Sequence, residues 1–465
     1  MNIPLDKKIG IWGLGVTGKS AVHYFHIRCY HIEVLDQKAF SADDQAYFAE
    51  RNILLLGQED LKDFLERNDY IFPSPGIDLA PYAQYAHKFL NELDLFYSSW
   101  KKPIIAITGS IGKTTITHLL SLLLQKVGLD VATGGNIGKP MLDLIPLQNS
   151  HDIALLELSS FQLEHCKKFA PDLAIITNLY PNHLDRHRSE DEYLRAKANI
   201  MRWQTDKQPA LLPLALKDAV LRLMPLQKTK KHLYYFSVQT PAHPVDGKVY
   251  YVEQNIIHLL CDPTSLKLRR AGTDTETNKV IADLSQFPPI TFQENWLIIC
   301  AVFDIIKLQI PDLATIELHV PEHRLEKVAT INGVDFYNDS KSTTTQSTLA
   351  AIERLSSRPI LLILGGLSKG VDREPFVEQI KGKIKKIYCF GKEADQLTAM
   401  CQKYGIIHQS CPTLDDAVTG AIADMQSGDQ IVLSPAGSSY DLYSNYIERG
   451  NHFKQLLMTY KKDIT

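Results

Sequence analysis

The sharpest chemical signal in the chain is Ile107-Thr-Gly-Ser-Ile-Gly-Lys-Thr114, of the form T-G-x-x-G-K-T, set between an apolar run and a helical one. In such a loop the backbone N–H groups around Gly109, Ser110 and Gly112 cradle phosphates. The Lys113 ammonium reaches the terminal phosphate, and the Thr114 hydroxyl ligates a divalent cation, with Thr115 next in line. A GKT tripeptide is common by chance, so the strand–loop–helix context carries the assignment. Glu157 ends a second apolar run, in Leu-Leu-Glu-Leu-Ser-Ser-Phe-Gln162. A carboxylate at the carboxyl edge of a parallel sheet suits Mg²⁺ or its water shell, and an ordinary strand-end glutamate fits the same pattern. His183 and Asp185, in Asn-His-Leu-Asp-Arg-His, follow another strand end, where a solvated histidine is the ordinary case. Lys197 falls in a predicted helix, where lysines mostly face solvent.

A second glycine loop, Gly13-Leu-Gly-Val-Thr-Gly18, follows the first strand, with Asp36 lying 18 residues past Gly18. Its spacing suits a pyrophosphate at a helix N-terminus and an acidic ribose ligand. A nicotinamide dinucleotide, a nucleotide sugar and a plain packing turn all satisfy it. Two later clusters combine the same residue types. Tyr337-Asn-Asp-Ser-Lys-Ser-Thr343 holds a carboxylate, hydroxyls and a lysine. Ser434-Pro-Ala-Gly-Ser-Ser439 precedes the last long helix, which its serines are placed to cap.

Positioning these residues requires three α/β segments. The first has strands at Ile9–Trp12, His31–Asp36 and Asp69–Phe72, the last running into Ser74-Pro75-Gly76. The second has strands at Ile104–Ile107, Ile153–Leu158 and Leu173–Thr177 and a helix over Thr115–Val127. Its stretch from about Pro225 to Pro289 reads as antiparallel. The third starts around His319-Val-Pro-Glu-His-Arg324, with strands at Ile360–Leu364, Lys386–Phe390 and Gln430–Ser434 and a helix over Asp441–Met458. A length of 465 residues also predicts about three domains. The expected architecture is α/β in three domains, with limits at 1–92, 93–320 and 321–465. The outer two are Rossmann-like, and the central one is a P-loop ATPase domain with a mainly parallel sheet.

Composition removes several classes. Fifty Lys+Arg against 53 Asp+Glu leave a net charge of −3, which argues against a nucleic-acid binder relying on bulk charge. No apolar run approaches the roughly 18 residues of a membrane span. Seven scattered cysteines form no C-x-x-C pair, and MNIPLDKK has no signal-peptide core. The expectation is a reduced, cytoplasmic, soluble protein without membrane or nucleic-acid partners.

Taken in order, GLGVTG, SPGI, TGSIGKTT, GGNIG (134–138), ELSSFQLE (157–164), NHLDRH, the Tyr193…Lys197 helix, HRLE (323–326), NDSKST, GGLSKG (365–370) and SPAGSSYD resemble the Mur ligase family of ATP-dependent amide-bond synthetases over essentially the whole chain. ELSSFQLE, the N-terminal loop with SPGI and the closing SPA…S…D-x-Y…N-Y…RG pattern select the branch that adds D-glutamate to UDP-N-acetylmuramoyl-L-alanine. The resemblance implies a monomer acting on small molecules in peptidoglycan precursor synthesis, with ATP and two Mg²⁺. It places Val16, Thr17, Asp36, Gln37, Lys38 and Ser74 near the uridine diphosphate, and Asn136 and His183 at the substrate. Lys113, Thr114, Glu157 and His183 would surround ATP and magnesium, and Lys197 would be carbamylated and bind metal. Asn295, Arg324 and Asp339 would hold the nucleotide. Lys341, Thr343, Lys369, Ser439 and Tyr446 would receive the amino acid, and the domains would close around bound nucleotide.

Some positions depart from the family pattern. Ile111 stands where Asn is usual, and Asn182 replaces an acidic residue. Phe292-Gln-Glu-Asn-Trp-Leu-Ile298 keeps one Asn of G-x-H-N-x-x-N, with Glu294 and Ile298 at altered places. Thr344 replaces an Asn and Tyr446 a Phe. Asn182, Glu294 and Ile298 motivate an alternative, a non-catalytic or altered-specificity relative that binds a UDP-sugar peptide. A nicotinamide dehydrogenase reading of GLGVTG leaves the phosphate loop and the third segment unexplained.

Overall fold

Runs rich in Ile, Leu and Val, separated by glycine loops and amphipathic helices, assemble into three sheets. They are seen in a computed structural model that describes all residues other than 1–2, 184–185, 224–231, 243–244, 246, 262–277, 289–291, 293, 314–315, 317–321 and 464–465. Two compact units result. One comprises 1–179, 191–286 and 294–312, and the other 180–190, 287–293 and 313–465. Asp185 and the start of the third segment at His319 lie outside the described residues.

The first unit contains two sheets. Strands β1 (Lys8–Trp12), β2 (His31–Leu35), β3 (Leu54–Leu56) and β4 (Tyr70–Pro73) pair in parallel in the order β3-β2-β1-β4. Strand order reverses at β1, so the loops after β1, β2 and β4 meet at one sheet edge, the expected ligand crevice of an open parallel sheet. The turn after β1 is tight: a Cβ on Gly18 would lie 1.9 Å from the Gly13 carbonyl oxygen. The second sheet is built from β5 (Ile104–Thr108), β6 (Val131–Gly135), β7 (Ile153–Glu157), β8 (Leu173–Ile176), β9 (Ala210–Pro213), β10 (Leu233–Ser237), β11 (Lys248–Glu253), β12 (Ile256–Leu260) and β13 (Asn278–Asp283). Its order, β13-β12-β11-β10-β9-β8-β5-β7-β6, puts β5 between β7 and β8. Every residue of these three strands is buried, as expected for parallel strands covered on both faces.

The antiparallel expectation for 225–289 needs correction. β10 runs parallel to both β9 and β11, and only β11–β12 and β12–β13 are antiparallel. Aromatic and β-branched residues mark a strand but carry no information about its partner's direction.

The second unit holds β14 (Glu326–Ile331), β15 (Val334–Asn338), β16 (Ile360–Gly365), β17 (Lys386–Phe390), β18 (His408–Cys411) and β19 (Gln430–Leu433) in the order β14-β15-β19-β16-β17-β18, with only β14 antiparallel. The loops after β15, β16, β17 and β19 therefore emerge at one edge. The last helix spans Tyr446–Asp463, five residues later at its start than expected. Asn445 accepts the Glu448 N–H at 2.9 Å, so it takes the capping role assigned above to the serines. The Ser439 carbonyl instead closes a turn with the N–H groups of Leu442 and Tyr443.

Candidate active site

The phosphate loop leaves β5 and enters the helix Lys113–Lys126, which buries Ile116, Leu119, Leu120, Leu123 and Leu124 on one stripe. Gly109 has φ +146°, and a Cβ there would lie 1.9 Å from Thr177 Oγ1, so only glycine lets the loop rest on the end of β8. The loop's crown is held from below. Thr177 Oγ1 donates to the Ile111 carbonyl at 2.7 Å, and Asn178 Oδ1 accepts the Ile111 N–H at 2.9 Å. Ser110 N–H donates to the Asn178 carbonyl at 3.2 Å. Neither Thr177 nor Asn178 is singled out by the motif pattern. Their signal is positional: they follow the strand adjacent to β5.

Asn295, 1% exposed, packs beneath Gly112, where a Cβ would meet its Oδ1 at 2.7 Å. It underlies the loop at the turn into the helix. Beside it, half-buried Glu294 bonds Asn178, and desolvation raises its carboxyl above the ordinary range.

Lys197 is not a solvated helix lysine. It is 2% exposed, donates to the Gly109 carbonyl at 2.9 Å and lies 4.6 Å from the centre of the Tyr193 ring. Lys113 donates to the same Gly109 oxygen at 2.7 Å and to the Ser110 carbonyl at 3.0 Å. Two amines thus converge on one acceptor. Burial first, and then the Lys113 charge, push the Lys197 amine well below the usual lysine range, with Glu157 opposing. Thr114 and Thr115 follow in the first helical turn, half-buried.

Glu157, 1% exposed at the end of β7, accepts from Asn136 Nδ2 at 3.1 Å through Oε1. Its Oε2 is buried without a hydrogen-bond partner among the described residues. A buried carboxylate oxygen left bare is costly, and a cation is the natural remedy. Among the described residues no three His, Cys, Asp or Glu side chains converge on a metal position. The donor set of one carboxylate, a hydroxyl and phosphate oxygens fits Mg²⁺, which seldom takes an all-protein cage.

At the first sheet's edge Asp36 ties the glycine loop to its own turn. It accepts the Leu14 N–H at 2.5 Å and the Lys38 N–H at 2.8 Å. Ser74 Oγ donates to the Gly13 carbonyl at 3.0 Å. Val16, Gln37 and Lys38 are exposed around this turn and Thr17 is half-buried. A cleft of 480 Å³ joins Ser74 and Pro75 to Phe161, Gln162 and Trp203. A larger cleft of 720 Å³, lined by Tyr97, Trp100, Lys101 and Ile104, opens at the other end of β5, away from the phosphate loop. Loop chemistry, not size, places the site.

In the second unit Asp339 is buried. It accepts from Ser342 Oγ at 2.5 Å, Ser434 Oγ at 2.7 Å and the Leu325 N–H at 2.9 Å. Burial pushes its carboxyl up to about 6, against those hydrogen bonds and the Arg324 charge. Lys341 donates to the Tyr446 hydroxyl at 2.9 Å, and Thr343 lies half-buried two residues on. Lys369 has φ +56°, and Ser439 is 3% exposed. Leu367 and Ser438 exchange two backbone hydrogen bonds of 2.9 Å, pairing the loops that carry Lys369 and Ser439. His183, φ +56°, also belongs to this unit, its carbonyl accepting from Arg186 and His187. The first unit therefore brings together Lys113, Lys197, Glu157, Asn136 and Asn295, and the second the Asp339, Lys341, Lys369 and Ser439 loops.

Known proteins resemble this chain in sequence and in fold. Residues 7–88 match the "Mur ligase MurD-like, N-terminal domain", 107–280 the "Mur ligase middle domain" and 323–437 the "Mur ligase, glutamate ligase domain". The UDP-N-acetylmuramoylalanine–D-glutamate ligase of Streptococcus uberis is 32% identical over 471 residues, covering 99% of this chain and 98% of that one. That of Acidobacterium capsulatum is 34% identical over 469 residues, covering 98% and 97%. Among solved structures, the MurF ligase of Thermotoga maritima in complex with ADP has a TM-score of 0.58 at 15% identity, covering 98% of this chain and 96% of that one. A pseudomurein peptide ligase type C from Methanothermus fervidus has 0.57 at 16%, covering 98% and 100%. With a loop shaped to cradle phosphates, a bare buried carboxylate beside it, and relatives above 30% identity matched over nearly their full length, the chain belongs to the Mur ligase family, in its group of UDP-N-acetylmuramoylalanine–D-glutamate ligases.

Proposed function

We propose that the protein joins D-glutamate to UDP-N-acetylmuramoyl-L-alanine at the expense of ATP, in peptidoglycan precursor synthesis. The observation that carries this reading is the meeting of the phosphate loop, Lys197 and the unpartnered Glu157 oxygen at the carboxyl ends of β5 and β7. A carboxylate is a poor acyl donor, so its oxygen first attacks the γ-phosphorus of ATP, ADP leaves, and an acyl phosphate results. Lys113 exchanges its two loop carbonyls for the phosphoryl oxygens and neutralises their charge. Thr114, Glu157, His183 and a carbamylated Lys197 would hold magnesium, which would supply further neutralisation when bound. The amine of D-glutamate then adds to the acyl carbon, and the tetrahedral intermediate expels phosphate. Among the described residues no contact of the site favours the nicotinamide or non-catalytic alternative over the ligase.

The uridine diphosphate is assigned to the Gly13–Gly18 turn with Val16, Thr17, Asp36, Gln37, Lys38 and Ser74, and the sugar–peptide arm to Asn136 and His183. Gly109 to Thr115, Asn295, Arg324 and Asp339 are assigned to ATP. The domain limits adopted are 1–92, 93–320 and 321–465, and the protein acts as a monomer in the cytoplasm. Among the described residues no helix is long and apolar enough to cross a membrane. Phosphate release across a panel of amino acids tests the function. Release that requires both the UDP-sugar acceptor and D-glutamate is expected; release independent of the amino acid refutes the ligase reading.

Amino-acid choice resides in the second unit, where Lys369 pairs with the side-chain carboxylate of D-glutamate. A charge-assisted hydrogen bond of about 1.5–3 kcal/mol corresponds to roughly ten- to hundredfold in affinity. Lys369→Ala is therefore expected to raise KM for D-glutamate by that factor and to leave KM for ATP nearly unchanged. Steady-state kinetics with each substrate varied in turn checks this, and equal effects on both would contradict the division of labour.

A further inference from the structure

Lys369 sits in a loop that cannot define its own shape. Gly366, Lys369 and Gly370 all have positive φ, at +71°, +56° and +77°. Such a segment carries little intrinsic preference, so packing must impose its conformation. Glu393, which follows β17, provides the contact. It precedes the helix Ala394–Tyr404 at the capping position, yet its side chain caps nothing there. Its carboxylate turns instead to the loop after the neighbouring strand. Oε1 accepts the Ser368 N–H at 3.1 Å and the Ser368 hydroxyl at 3.3 Å, with Oε2 3.2 Å from the same nitrogen.

Arg373 closes the arrangement. It is 2% exposed, donates from Nη2 to Glu393 Oε2 at 2.5 Å and from Nη1 to the Gly365 carbonyl at 3.2 Å. One guanidinium thus ties the first residues of the loop to the carboxylate that holds its middle. The charge matters as well as the geometry. A Glu393 anion left alone one residue from Lys369 would compete for its ammonium and repel an acidic substrate. Paired with Arg373 it is neutral to the surroundings, and with side chains 2% and 17% exposed the pair is only weakly screened by solvent.

We propose that the Arg373–Glu393 ion pair positions Ser368 and thereby aims Lys369 at the side-chain carboxylate of the incoming amino acid. The inference rests on the reading that Lys369 receives D-glutamate. Both residues are positioning residues, acting through Lys369.

Arg373→Met in the full-length protein, assayed with the UDP-sugar acceptor, ATP and D-glutamate, tests it. KM for D-glutamate is expected to rise about tenfold while KM for ATP stays within about twofold, as for loss of orientation at a single charged contact. In a Lys369→Ala background the same substitution is expected to add almost nothing, because the group being aimed is gone. A merely structural role predicts the opposite: all three KM values and kcat shift together, and the two effects add. Where Arg373→Met does not fold, Glu393→Gln carries the same comparison, since it keeps an acceptor for Ser368 and removes the charge. An unchanged or uniformly altered set of constants in the folded variant overturns the proposal. A normal D-glutamate KM in Lys369→Ala alone refutes the assignment of Lys369. A raised one there, beside a normal value in Arg373→Met, refutes only the positioning pair.

Discussion

Lys113→Ala is expected to fold normally and to lose at least about a thousandfold in kcat, the cost of removing a preorganised charge of roughly 4 kcal/mol from a phosphoryl-transfer site. The fold should survive because the loop does not depend on this side chain alone. Thr177 and Asn178 grip Ile111 and Ser110 from below, and the helix Lys113–Lys126 is anchored by its leucines. What the ammonium contributes is charge, and it stands on Gly109 and Ser110 carbonyls that a phosphate would displace. A second consequence follows from the shared acceptor. The Lys113 charge is one of the two causes that push the Lys197 amine down, so its removal should let that amine rise toward the ordinary range. Circular dichroism and melting curves check the fold, and phosphate release checks turnover. Near-normal activity in a folded variant would remove this loop from the catalytic assignment.

The site was legible in the sequence where chemistry follows a parallel strand. Each of the loops after β1, β5, β7, β15, β16 and β19 carried its polar residues directly behind an apolar run, and parallel sheets present those ends together. Lys197 shows a signal that was present but outweighed. Tyr193, Ala196, Lys197 and Ile200 fall at helical spacing on one buried stripe, and all four are buried in the helix Glu190–Arg202. The general preference of lysine for solvent pointed the other way. Asp441–Asn445 failed for a different reason. Its apolar Leu442 and Tyr443 mimic the start of a helix, while Ser439 and Asn445 form the turn and the cap through hydrogen bonds that no periodicity encodes. The supports of the site were the least visible part. Thr177, Asn178, Arg373 and Glu393 act through contacts between residues tens of positions apart, or between neighbouring strands whose order the sequence does not state.

Lys197→Ala is expected to lose most activity and to regain part of it with small carboxylic acids. A permanently charged ammonium at this position makes little physical sense. It would lie buried, share an acceptor with Lys113 and repel any cation attracted by Glu157. The amine is accordingly pushed well below the usual lysine range, which favours the free base. A neutral amine can add CO₂, losing a proton and forming a carbamate. That converts a neutral amine into an anion with two acceptor oxygens, suited to a hard metal. The product would also offer Lys113 an anionic partner in place of a competing amine. In the alanine variant the vacated volume retains Tyr193 and the Gly109 carbonyl as its walls, so formate or acetate can enter and supply the missing carboxylate. Titrating the variant with these acids while measuring phosphate release gives a direct readout, and added bicarbonate should matter only for the wild type. Full activity in Lys197→Ala, with an unmodified lysine mass in the intact wild-type protein, would show that this side chain is a buried structural amine and not a metal ligand.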